Sequence, residues 1–166
     1  MEASAYLDSI VHDMHTTVVA TMDDEGLPVT CAIDMMDSDG DSLYFLTATG
    51  KRFYERLKKQ GYLSLTGVKG EDTMSSMAIS VRGKVRELGV DMVTELFQKN
   101  PYMYEIYPDE ASRSVIRVFQ IYEGVGEWFD LSKKPIACAN FSFGATEQAV
   151  QESHSAFLQA KEKAVL

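Results

Sequence analysis

Two cysteines, four prolines, three histidines and one tryptophan are spread over 166 residues, and the scarcity of each excludes something. Cys31 and Cys138 are too few and too far apart for a metal motif or a disulfide framework. Cys31 sits inside an apolar run and reads as a small buried hydrophobe. His12 and His15 share an i, i+3 spacing, but no carboxylate or third ligand recurs with them, and His154 is remote, so no metal is expected. No Ser-His-Asp arrangement and no carboxylate pair is set by the sequence, which leaves hydrolysis without support. Positive charge is also short: 16 Lys and Arg stand against 25 Asp and Glu, a net charge of −9. Nucleic acid and acidic membranes call for a basic face and are not expected partners. No apolar run approaches transmembrane length, and Asp8 and Asp13 interrupt the only early apolar positions, so a cytoplasmic protein is expected.

Against this acidic background one basic turn stands out, TATGKRFYERL at residues 47–57. It follows an apolar run and opens a helical pattern, with Thr49 as the expected N-cap and Lys51 and Arg52 in the first turn. A helix amino end carries roughly +0.5 of an elementary charge, so cations there are unfavourable unless an anion sits among the free N–H groups. A bound phosphate satisfies that pattern. A solvated basic turn is the other reading.

The length suits one domain, 1–166, with its core at about 16–131. Apolar positions predict a helix over 4–14, with Ser4 as a possible cap, then strands over 17–22 and 29–36 joined by the turn containing Gly26. A third strand at 42–47 enters a helix at 50–60, which Gly61 stops. Strands follow at 62–67 and 77–85, the second alternating cleanly, and Gly83 within it marks a bend or a close backbone approach. Helical turns are expected at 91–99 and 102–107, two last strands at 115–122 and 126–131, and a C-terminal helix from 146 to 166. Six or seven strands, mostly in hairpins, with an inserted helix make a mainly β protein, a small antiparallel barrel. Side chains fill such a barrel, so a large ligand must bind outside it or between subunits.

Three segments in order, VATMDDEGLPVTCAIDMM, LYFLTATGKRFYERL and SMAISVRGKVREL, resemble the FMN-binding split-barrel family. That family includes pyridoxamine 5′-phosphate oxidase and the nitroimidazole-resistance proteins. The resemblance implies a homodimer with FMN at the subunit interface and a flavin-dependent oxidoreductase that works with a small-molecule electron donor or acceptor. It implies that Thr47, Lys51 and Arg52 hold the FMN phosphate, although Phe53 stands where a second phosphate-binding Lys is frequent. The ring system is expected along Thr30, Cys31, Ala32, Ile33 and Asp34, with Asp34 and Ser80 offering polar groups, and Tyr122 or Trp128 completing the site from the other subunit. Asp34 can equally be read as ending a strand into an Asp-rich turn, Ser80 as solvent-facing, and Trp128 as a packing residue. Near the C-terminus EGVGEWFDLSKKP has Glu127, Trp128, Phe129 and Asp130 where pyridoxamine 5′-phosphate oxidase places Arg and His, so oxidation of that vitamer is not expected. Two other readings of the chain are a flavin carrier or sensor without turnover, and a cofactor-free binding module on the same fold.

Overall fold

The computed structural model describes residues 1–144; the helix expected from residue 146 lies outside them. α1 (Ala3–Ser9) runs on into a π-helical turn, Ile10–Met14, and together they bury Tyr6, Leu7, Ile10, Val11 and Met14. Glu2, not Ser4, occupies the cap position. The turn ends at His15, whose φ of 57° makes it the one non-glycine residue with positive φ among the described residues.

Alternating apolar residues then build β1 (Thr16–Met22) and β2 (Pro28–Ser38), followed by β3 (Leu43–Ala48), α2 (Arg52–Gln60), β4 (Tyr62–Lys69) and β5 (Met77–Gly89). Three short helices, α3 (Val93–Lys99), α4 (Met103–Ile106) and α5 (Glu110–Arg113), lead to β6 (Ile116–Asp130) and β7 (Ala137–Phe143). The strand order is β3-β2-β1-β4-β5-β6-β7, and β3 also pairs with β6. Six antiparallel strands therefore close into a barrel, and β7 extends the sheet from the far half of β6.

The barrel interior is one apolar cluster that includes Val19, Phe45, Leu65, Ile79 and Phe119, plugged by α1. A second cluster forms outside, where Leu96, Phe97 and Met103 cover the outward residues Met36, Tyr44, Leu46 and Val118. β3 is covered on both faces, and its first five residues are all buried. That is why its sequence reads as a continuous apolar run rather than an alternation.

Two further sequence expectations change. Residues 115–122 and 126–131 are not separate strands but parts of the 15-residue β6. Gly124 and Gly126 do not break it; they leave room for Phe143 and Phe141 of β7, a strand the sequence did not announce. Gly83 is a close approach as expected: a Cβ there would meet Ile121 and, at 3.0 Å, the Glu123 carbonyl oxygen. The second change concerns α2, which starts at Arg52 with Lys51 in the cap position and no side-chain cap. Thr49 is not the cap; its N–H donates to the Val115 carbonyl.

Candidate functional site

The start of α2 lies over one end of the barrel, and its charges gather there. Lys51 and Arg52 are exposed. No side chain satisfies the first N–H groups of the helix, which point along its axis with the positive end of the dipole. One turn further, Arg56 Nε donates to the buried hydroxyl of Thr21 at 2.7 Å. Burial pushes the Cys31 thiol up, while the charges of Arg56 and Lys51 oppose that rise, so both cations lie within electrostatic reach of β2. Arg56 was not singled out from the sequence; its i, i+4 relation to Arg52 is the signal that could have marked it.

Thr47 is the next-to-last residue of β3, the strand that leads into this helix start. It is 3% exposed, and its Oγ1 is the one buried side-chain oxygen without a hydrogen bond among the described residues. Buried hydroxyls are nearly always paired, so an orphan five residues before an uncapped basic helix start fits a group that a bound anion would satisfy. Phe53, by contrast, faces inward at 5% exposure, with its ring 6.0 Å from that of Phe45. It is a core residue and takes no part in the basic surface.

The remaining residues separate by strand alternation. Cys31 and Ile33 pack against the barrel interior, whereas Thr30 and Ala32 are exposed on the outer face. Register carries that outer face across the sheet: Ala32 pairs with Val18, Val18 with Thr66, Thr66 with Ser80, and Ser80 with Glu127. Thr66 Oγ1 and Ser80 Oγ lie 2.9 Å apart. Thr30, Ala32 and Ser80 thus share one shallow surface of small side chains. Trp128 is on the other face, packed against the interior with its ring 5.8 Å from Tyr6. Tyr122 lies beneath the Arg86 guanidinium, 4.8 Å away. Neither is brought to the α2 end within this chain.

Asp34 does not end a strand, since β2 continues to Ser38; it lies within the half of β2 away from the basic helix start. Its Oδ1 accepts from Thr16 Oγ1 at 2.6 Å and its Oδ2 from Tyr102 Oη at 2.8 Å. His15 Nε2 is 2.7 Å from the same Tyr102 oxygen and 3.6 Å from Asp34. Burial, then the Asp34 hydrogen bond, drive the Tyr102 phenol well above its ordinary value. Sequence reading missed this cluster because its members lie at positions 15, 34 and 102.

Comparison with known proteins places the chain and its fold among relatives. The sequence profile described as pyridoxamine 5′-phosphate oxidase matches residues 5–122. No curated protein matches the chain. Among solved structures, a NimC/NimA family protein from Clostridium acetobutylicum is similar at a TM-score of 0.69 and 14% identity, over 85% of this chain and 92% of that one. A general stress protein 26-related protein of the pyridoxinephosphate oxidase family, from the same organism, has a TM-score of 0.59 and 20% identity, over 84% and 94%. A heme binding protein from Mycobacterium smegmatis has a TM-score of 0.62 and 15% identity, over 84% of this chain but 58% of that one. At such identities the likeness is one of fold.

Proposed function

Because the chain belongs to the pyridoxamine 5′-phosphate oxidase family, we propose that it binds FMN and acts as a flavin-dependent oxidoreductase without being a B6 oxidase. The observation that carries this reading is the orphaned Thr47 hydroxyl below an uncapped helix start bearing Lys51 and Arg52. Those three residues would hold the phosphate, and Arg56 would add a guanidinium already fixed in place by Thr21. Thr30, Ala32 and Ser80 would meet the ring system on the outer face, with Asp34, whose two oxygens are held by Thr16 and Tyr102, only at its margin, while Cys31 and Ile33 support the same strand from within.

FMN, when bound, supplies hydride or electron transfer. The chain itself supplies position and charge. The cations neutralise the phosphate, and the closely paired strands β1, β2, β4 and β5 give a stiff surface against which a planar group can lie. A second copy would cover the exposed outer face, keep water from it and bring its own Tyr122 toward the site, whereas Trp128, packed against the barrel interior, would not reach it; the active unit would be a homodimer. Phe53, which stands where a second phosphate-binding Lys is frequent, is core packing, so the phosphate would rest on Thr47, Lys51, Arg52 and Arg56. At the C-terminal segment Asp130 is committed to Ser132 through Oδ1, and Glu127 and the half-exposed Phe129 offer no cation to a substrate phosphate.

Titration of FMN and riboflavin into the purified protein tests this. FMN is expected to bind more tightly, and the Lys51→Ala, Arg52→Ala double change to weaken FMN about tenfold or more while leaving riboflavin unaltered, since each charge-assisted bond contributes roughly 1.5–3 kcal/mol. Equal affinities for the two flavins, or a protein that takes up heme and no flavin, would overturn the proposal.

A further inference from the structure

A cleft of about 430 Å³ opens where the end of the π-helical turn meets the far end of β2 and the end of α3. That volume lies within the range of small-molecule sites, roughly 300–1,000 Å³. Val11 and Met36 give it apolar surface, and His12, His15 and Lys99 give it polar surface. It is set apart from the basic cluster: Asp34, beside it, is three residues from Cys31, about 10 Å along an extended strand.

The hydrogen bonds fix which atom of His15 can serve a ligand. Tyr102 has one hydroxyl proton, and it is donated to Asp34 Oδ2. The contact between His15 Nε2 and Tyr102 Oη must then be donated by the imidazole, so Nε2 carries a proton in both charge states of the ring. Nδ1 receives no hydrogen bond from the described residues and is the atom free to exchange a proton. A high phenol pKa keeps Tyr102 in this donating role.

The backbone points the same way. His15 sits at φ 57° and ψ −68°, a conformation that a residue with a β-carbon rarely adopts. It is kept by two hydrogen bonds of 2.8 Å, from its N–H to the Ile10 carbonyl and from the Met35 N–H to its own carbonyl. Such outliers cluster where a side chain must be aimed.

The charges around His15 decide the kind of ligand. Asp34 and Asp37 face it from β2, Tyr102 from the turn after α3, His12 from its own segment and Lys99 from α3. Lys99 is already held by Asp37 at 2.5 Å and Glu95 at 3.1 Å. A permanent anion would meet two carboxylates and no uncommitted cation. A neutral molecule with a proton to give meets an imidazole ready to accept it, with a carboxylate behind to stabilise the charge that results.

We propose that this cleft binds a small cyclic weak acid, a phenol or enol, whose hydroxyl meets Nδ1 of His15, with Tyr102 and Asp34 as positioning residues. On binding, the ligand O–H bond breaks and an Nδ1–H bond forms; no electrons change hands. The resulting imidazolium is balanced by Asp34, directly across 3.6 Å and through Tyr102.

The probe is 4-nitrophenol, whose phenolate has its own visible band, titrated into the full chain with and without added FMN, so the outcome does not depend on flavin binding. Saturable binding with a larger phenolate fraction than in free solution at the same pH is expected. His15→Asn, chosen because Asn tolerates positive φ, should weaken binding about tenfold or more and abolish the extra phenolate. Tyr102→Phe should retain binding but lower the phenolate fraction, and nitrogen-15 NMR should show neutral His15 protonated on Nε2 in the wild type and on either nitrogen in that variant. No saturable binding by the wild type, unchanged binding by His15→Asn, or an unaltered tautomer in Tyr102→Phe would each overturn the proposal.

Discussion

Arg56 reaches from the middle of α2 back to β1, where its Nε donates to Thr21 Oγ1 at 2.7 Å. Thr21 is 3% exposed, so the bond fixes a guanidinium by one edge and leaves its two terminal nitrogens for another partner. Arg56→Ala is expected to weaken FMN several-fold and to lower stability by about 1 kcal/mol, the cost of stranding a buried hydroxyl. Arg56→Lys should recover part of the affinity but not the stability, because a single ammonium cannot serve both ends. Calorimetric titration with FMN and with riboflavin separates the two effects; a riboflavin affinity that falls in parallel would refute a phosphate role.

Alkaline pH should destabilise the fold through Tyr44. Burial, then its 2.6 Å hydrogen bond to Asp39 and the charge of that carboxylate, push its phenol up from 10.0 to about 12. The unfolded chain loses this proton first, so the contribution is complete below pH 10 and is lost as pH rises through about 12. It amounts to roughly 2–3 kcal/mol. Urea unfolding across that range should show the decline, and Tyr44→Phe should flatten it.

Gly124→Ala should be among the more damaging small changes in the barrel. A Cβ there would lie 2.5 Å from the Arg82 carbonyl oxygen and 2.8 Å from Phe143 Cζ. The phenyl ring can turn aside, but the β5 backbone cannot without breaking the ladder. A loss of about 2 kcal/mol or more is expected. A thermal midpoint equal to that of the wild type would count against this packing of β7.

The outer face of β1, β2, β4 and β5 carries the expected dimer contact. Val18 at its centre is 55% exposed, with Ala32 and Thr66 paired on either side. Val18→Lys places a charge where the second copy would dock, and sedimentation should show monomers with weakened FMN binding. A wild type that sediments as a monomer while still binding flavin would remove the interface from the proposed site.

Much of this was legible beforehand. The hairpin of β1 and β2 and the alternation of β5 follow from local pattern because the barrel buries one face of each strand, and the apolar run of β3 into α2 follows because both its faces are covered. β7 was hidden because ACANFSF has little strand propensity; it forms by filling the space that Gly124 and Gly126 leave in β6. β6 itself read as two pieces because glycines normally punctuate strands. Of the candidate site, Thr47, Lys51 and Arg52 were visible as neighbours in the chain. The joining of His15 and Asp34 to Tyr102 was not: the β1–β2 hairpin brings His15 and Asp34 together, but Tyr102 reaches them only when the segment after α3 packs against the barrel.

The pairing of β3 with β6 carries a kinetic consequence. Leu43 meets Ile121 and Ala48 meets Ile116, so the seam that closes the barrel joins segments about 70 residues apart, with α2, two strands and three short helices between them. Hairpin contacts such as β1 with β2 form early at small entropic cost, whereas this seam has to wait for a long stretch of chain to be gathered in. Folding should therefore be slow for the chain's size. Until the seam forms, the inward faces of β3 and β6 remain open to the same faces of another chain, and nascent or refolding protein at high concentration is then most exposed to exchange of strands between molecules.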